Sequence, residues 1–148
     1  RLRIAGRPID LNYHARVNSR IQELGLTDAV EFLGETSPEK LVLLYRRCAV
    51  FVFPSTAETF GNPLVEAMAC GAPIACSNNT AIPEIVGDAA LLFDALDVNS
   101  MATTIGELLA DPTKRGVLSD RARRRAQSFS WERTAAETAK ILKAAATT

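Results

Sequence analysis

Five short apolar runs alternate with helix-like segments along most of this chain, and that alternation limits its fold more than any other feature. The runs are Leu2–Gly6, Val30–Leu33, Ala49–Phe53, Pro73–Ser77 and Ala89–Phe93. Between them, helical spacing is carried by Asn12–Leu24 (Val17, Ile21 and Leu24, stopped at Gly25), by a segment that Ser37 caps and Pro38 opens with Leu41, Leu44 and Tyr45 inward, by Asn62–Cys70, and by Thr80–Val86. Consecutive strands separated by helices cannot pair through hairpins. They pair as parallel neighbours joined by right-handed crossovers, which predicts an α/β chain with a doubly wound parallel sheet. The run "AVFVF" shows no polar alternation and reads as a strand buried on both faces. The remainder is helical: Asn99–Ala110 with Ile105, Leu108 and Leu109, a segment opened by Asp111-Pro112 and reaching about Ser128, and a closing helix over residues 130–148 with Ser130 as its cap.

Charge and composition remove several function classes. Seventeen basic residues balance 17 acidic ones among 148, so the phosphate-neutralising excess of a nucleic-acid binder is missing. No apolar run approaches the roughly 18 residues of a membrane span. Cys48, Cys70 and Cys76 are an odd set without CxxC spacing and read as reduced, buried thiols of a cytoplasmic protein. The single histidine, His14, has no second ligand nearby and reads as a surface residue, so no metal site is expected. Arg121, Arg123, Arg124 and Arg125 form a basic run whose ordinary reading is a solvated helix face; the alternative is contact with a partner domain or with an anionic surface at the inner face of a membrane.

The stretch "AETFGNPLVEAMACGAP", Ala57 to Pro73, follows directly after "AVFVF". That is the sheet edge where open α/β proteins bind ligands. Gly61 lets backbone approach a ligand closely, Asn62 suits an N-cap, and Pro63 suits the first helical position. The free N–H groups of such a first turn, with the helix dipole, make an anion site fit for phosphate. Glu58 lies before the turn and Glu66 one turn into the helix. Each carboxylate can accept hydrogen bonds from sugar or ribose hydroxyls, although each alone also suits an ordinary loop acid or a first-turn acid. A glycosidase pair is a weaker reading, because such pairs face each other across an open cleft. A second loop at the same edge, "NNTAIPEIVG", offers Thr80 as a cap and Asn78 and Asn79 toward a ligand, or else is a polar turn.

The run "VFPSTAETFGNPLVEAMACGAPI" resembles the signature of the retaining, nucleotide-sugar-dependent glycosyltransferases of the GT-B fold, group 1 or family 4, with its two glutamates eight positions apart. Pro54, Ser55, Glu58, Phe60, Gly61, Pro63, Glu66, Ala67, Met68, Ala69, Gly71 and Pro73 carry the match. "LRIAG", "IPEIVGDAALLFD" and "RAQSFSWERTA" resemble further elements of the same C-terminal domain. The resemblance implies a Rossmann-like donor-binding domain, with UDP- or GDP-sugar as substrate and no other cofactor. It implies that Glu58 contacts donor-sugar hydroxyls as the catalytic-site acid and that Glu66 holds the ribose. Phe60 and Gly61 would lie over sugar and phosphates, the helix starting at Asn62 and Pro63 would face the diphosphate, and backbone near Val30–Gly34 would face the base.

The departures set further expectations. The family's acceptor-binding N-terminal domain has no counterpart here, nor has its first C-domain strand, with the Arg and Lys that hold the diphosphate; Arg7 does not replace them. The family's Gly-Gly before "P-E" is replaced by Asn79, Thr80 and Ala81 nearby. The chain starts without Met beside a strand, and it is expected to be a partial donor domain, inactive alone, with two sheet edges lacking a central strand and therefore oligomeric or complemented by another strand. The alternatives are an epimerase-like or non-catalytic nucleotide-sugar-binding domain of the same architecture, disfavoured by the Glu58–Glu66 run, and a response-regulator-like domain, which would need acids at the end of its first strand.

Overall fold

The strand β1 (Leu2–Ala5) runs parallel to β2 (Val30–Gly34), with Leu2 opposite Val30 and Ile4 opposite Phe32 in a computed structural model that describes residues 1–146. Between them lies α1 (Leu11–Glu23), begun where the Asp10 carboxylate accepts hydrogen bonds from the N–H groups of Asn12 and Tyr13. His14 packs edge-on against Phe32, with ring centroids 4.7 Å apart. These elements make up the first of two compact units, Arg1–Leu41; the second begins at Val42. The helix α2 (Pro38–Arg47) starts where the Ser37 hydroxyl accepts from the Lys40 N–H, as its sequence predicts.

In the second unit, β3 (Phe51–Phe53), β4 (Ile74–Ser77) and β5 (Ala90–Phe93) form a parallel sheet in the order β3-β4-β5, with Phe51, Ile74 and Ala90 in register. The connections are α3 (Asn62–Cys70) and α4 (Ile82–Val86); α5 (Val98–Ala110), α6 (Pro112–Ala126) and α7 (Trp131–Ala146) follow. Leu64, Met68, Ile74, Ile82, Phe93 and Leu108 are fully or almost fully buried and form the apolar interior.

The expected α/β class with parallel strands flanked by helices is present, and the strands fall into two sheets, as expected for a domain that lacks a central strand. Among the described residues β1 pairs only with β2, and β3 only with β4, so each leaves one edge without a partner. That explains one correction. "AVFVF" yields a three-residue strand that is only half-buried, because β3 is an edge; the strand buried at every residue is β4, which has neighbours on both sides.

Three of the four arginines in the basic run at 121–125 serve the fold rather than a free solvated face. Arg125 donates from Nε to the Ile85 carbonyl at 3.0 Å and from a terminal nitrogen to the Glu84 carbonyl at 2.7 Å, closing the end of α4. Arg121 reaches the Asp88 carbonyl and carboxylate, and Arg123 pairs with Asp120 while lying over Gly71. Ser130 caps α7 through the Arg133 N–H, as expected. No residue of α7 is buried, and Trp131 is 81% exposed. Residues 147 and 148 of the expected closing helix lie outside the described residues.

Candidate functional site

The site is a loop followed by a helix at the carboxyl end of β3. The loop runs over residues 54–61 and delivers Glu58, Phe60 and Gly61; α3 delivers Asn62, Pro63 and Glu66. Gly61, not Asn62, is the N-cap. Its φ of +84° is left-handed, and a Cβ there would press on Leu64 Cδ1 at 3.2 Å, so glycine suits the position on two counts. Asn62 is therefore the first helical residue and Pro63 the second, one step later than their sequence suggests. No side chain caps the helix start. The uncapped first turn retains the orphan N–H character and positive dipole end that favour an anion.

Glu66 lies on the next turn, exposed but oriented. The Tyr45 hydroxyl donates to its Oε2 at 3.2 Å. Tyr45 is buried, and its ring stands edge-on to Phe51 with centroids 5.2 Å apart, so a strand and two helices fix the direction of one carboxylate. Burial, and then the charge of Glu66, push the Tyr45 phenol well above its ordinary value. The phenol is therefore a protonated donor at every physiological pH. Sequence periodicity places Tyr45 inward but gives no partner for it; a phenol among aliphatic inward positions is the available signal.

Glu58 is half-buried, and among the described residues nothing pairs with its carboxylate. Its backbone is held instead, since the Glu58 N–H donates to the Thr80 hydroxyl at 3.0 Å. The Asn79 amide reaches the Thr56 carbonyl at 3.4 Å, and the buried Ser77 hydroxyl donates to the Ser55 carbonyl. Thr80 thus does not cap α4, whose N-cap is Ala81 without a side-chain bond, and Asn79 joins two loops rather than standing free. Phe60 packs edge-on against Phe129, 5.6 Å between centroids, and Arg125 lies over the other ring of that pair at 5.2 Å. Phe129 is a contact that sequence reading misses, because it comes from the turn between α6 and α7.

The expected site residues are thus all on one loop and helix, with one carboxylate oriented by a phenol, one without a partner, and an uncapped helix start between them. A cavity of about 360 Å³ lined by Leu91, Asp111, Lys114, Val117 and Arg121 lies elsewhere and includes none of them. Among the described residues no three His, Cys, Asp or Glu side chains are grouped to hold a metal ion. Cys48, Cys70 and Cys76 are free thiols; Cys76 alone is fully buried, which pushes its thiol up to about 12.

The O-antigen chain mannosyltransferase B of Escherichia coli is 41% identical over 109 residues, covering 74% of this chain and 29% of that protein. Among solved structures, sucrose-phosphate synthase from Thermosynechococcus elongatus superposes with a TM-score of 0.85 at 32% identity, over 96% of this chain and 37% of that one. Anabaena HepE in complex with UDP-glucose superposes at 0.87 and 26% identity, over 96% of this chain and 40% of that one. The chain thus spans well under half the length of the proteins it matches. Residues 1–125 match the model of the glycosyl transferases group 1, and the chain belongs to that family, with the α/β fold of its GT-B members.

Proposed function

We propose that this chain is the donor-binding part of a retaining glycosyltransferase, which moves a sugar from a nucleoside diphosphate sugar to an acceptor hydroxyl. The observation that carries the reading is the pair of carboxylates flanking an uncapped helix start: Glu66 held by Tyr45, Glu58 without a partner among the described residues. In this reading Glu66 accepts from the ribose hydroxyls and Glu58 from hydroxyls of the donor sugar. The first turn of α3, with Gly61, Asn62 and Pro63, faces the diphosphate, and Phe60 borders the sugar.

The bond that breaks joins the anomeric carbon to the diphosphate oxygen, which leaves with the electron pair. The new bond joins the same carbon to the acceptor oxygen on the same face, and the acceptor proton passes to the leaving phosphate or to solvent. A positive helix terminus beside the leaving group favours the charge that develops there. The acceptor-binding domain and the basic diphosphate ligands belong to other parts of the protein, so residues 1–148 alone are inactive. The family's transferase names, and the UDP-glucose held by the HepE structure, support a transferase over an epimerase-like or purely binding module.

The test is calorimetry of the full-length protein with UDP-glucose and GDP-mannose, with Glu66→Ala and Glu58→Ala alongside. Glu66→Ala is expected to lose nucleotide affinity about tenfold or more, as for a lost hydrogen bond to a charged group. Glu58→Ala is expected to keep nucleoside diphosphate affinity and lose turnover. A Glu66→Ala variant that binds donor as tightly as the parent would remove the ribose role.

A further inference from the structure

Thr80 is the one non-glycine residue with positive φ among the described residues, at +50°. A β-branched side chain is disfavoured in that region, and such strain persists where surrounding contacts over-determine the backbone. The contact is evident. Thr80 Oγ1 accepts the backbone N–H of Glu58, 22 residues away in sequence, at 3.0 Å. Two further side-chain bonds join the same two segments, Ser77 at the end of β4 to the Ser55 carbonyl and Asn79 to the Thr56 carbonyl, so the bond at Thr80 is the last of three and the one at Glu58 itself.

We infer that Thr80 is a positioning residue for Glu58. Holding the Glu58 N–H anchors the peptide plane from which its Cα and side chain project, and among the described residues the Glu58 carboxylate has no other protein group to aim it. Glycine at position 80 would adopt the same backbone without strain but would leave the Glu58 N–H without its acceptor. The strained threonine therefore exchanges local backbone comfort for a fixed carboxylate. The inference rests on the sugar-contacting role proposed for Glu58.

The experiment uses the full-length protein and the tighter-binding of UDP-glucose and GDP-mannose, measured against the matching nucleoside diphosphate. Thr80→Val and Thr80→Gly are expected to bind the nucleoside diphosphate within twofold of the parent while the sugar-dependent gain in affinity falls about five- to tenfold, the size of one hydrogen bond. Thr80→Ser, which keeps the hydroxyl, is expected to stay within twofold. Amide exchange at Glu58 is expected to quicken in the Val and Gly variants and not in Ser. Thr80→Gly retains a backbone compatible with the fold, so it remains informative if Thr80→Val folds poorly. The inference is overturned if the Gly variant keeps the sugar-dependent gain, or if nucleotide and nucleotide-sugar affinities fall together, which is the pattern of a general structural role. Glu58→Ala separates the two claims. An unchanged gain there sinks the sugar role of Glu58, whereas a lowered gain there beside an unchanged one in Thr80→Gly sinks the positioning role alone.

Discussion

The Tyr45 hydroxyl donates to Glu66 Oε2 at 3.2 Å, from a side chain only 8% exposed to one at the surface. A buried phenol is thereby satisfied and a solvent-facing carboxylate is given one direction. Tyr45→Phe keeps the ring against Phe51 and removes only the donor. It is expected to lower UDP affinity of the full-length protein about fivefold, read by calorimetry, with a stability cost of about 1 kcal/mol in urea unfolding. The pH dependence has a definite sign. The folded phenol titrates above its ordinary value of 10.0, so its contribution is complete below about pH 10 and is lost as pH rises toward the folded value. The stability gap between parent and Tyr45→Phe should therefore be flat from pH 7 to 9 and shrink above about 10; a gap that grows there would contradict the assignment.

Much of the fold is legible in the sequence because strands and helices announce themselves locally. Asn62–Cys70 ends at the glycine that its sequence implies, and Ser37 and Ser130 cap as their positions suggest. The corrections arise where a residue's state depends on distant chain. Apolarity alone cannot tell "AVFVF" that it is an edge and "IACS" that it is central. The cap moves from Asn62 to Gly61 because Gly61 takes a left-handed backbone that local propensity does not require. The candidate carboxylates are visible as a motif, but their supports, Tyr45 and Thr80, are 21 and 22 residues from what they hold. Single-sequence periodicity contains no signal at that range.

The arginines of α6 give a second prediction. Arg125 makes two bonds to carbonyls at the end of α4, a planar fork that lysine cannot reproduce. Arg125→Ala is expected to cost about 2 kcal/mol in urea unfolding, and Arg125→Lys to recover less than half of that. Arg124 differs, since among the described residues it has no side-chain partner. If an anionic membrane surface is a partner, vesicle co-sedimentation should respond to Arg124→Glu and not to Arg125→Lys.

At Gly71 two effects can be separated. Its φ is +74°, its carbonyl accepts from the Ser119 hydroxyl at 2.7 Å, and a Cβ there would fall on the Arg123 guanidinium. Gly71→Ala is expected to destabilise by about 1–2 kcal/mol, combining left-handed backbone cost with the displacement of Arg123. Since the guanidinium is the far end of a flexible side chain, adding Arg123→Ala should recover only the smaller share. Full recovery in the double variant would mean that the backbone conformation carries little of the cost.

The edges of β1 and β3 lead to a prediction about association. β3 is half-buried and among the described residues pairs on one side only, so it presents backbone donors and acceptors that another strand can use. Residues 1–148 produced alone are expected to self-associate at micromolar concentration, seen as a rising mass by light scattering. A stable monomer with an intact sheet would show that each edge is adequately protected by its own side chains.

Phe60 and Phe129 stand edge to face with centroids 5.6 Å apart, and Arg125 lies over Phe129. The contact joins the loop that carries Glu58 to the turn between α6 and α7, two segments 69 residues apart in sequence. An aromatic pair of this geometry contributes about 0.5–1.5 kcal/mol beyond the area it buries. A double-mutant cycle with Phe60→Leu and Phe129→Leu, followed by urea unfolding, should return a coupling in that range. Phe60 is itself 38% exposed, so its own burial is modest and most of the effect should appear as coupling. The same variants measured by calorimetry show what the contact does for the site. If Phe60 borders the donor sugar, Phe129→Leu should weaken nucleotide-sugar binding more than nucleoside diphosphate binding, by loosening a side chain that it does not replace. Equal weakening of both ligands would instead assign the pair to holding the turn and leave the sugar to Glu58.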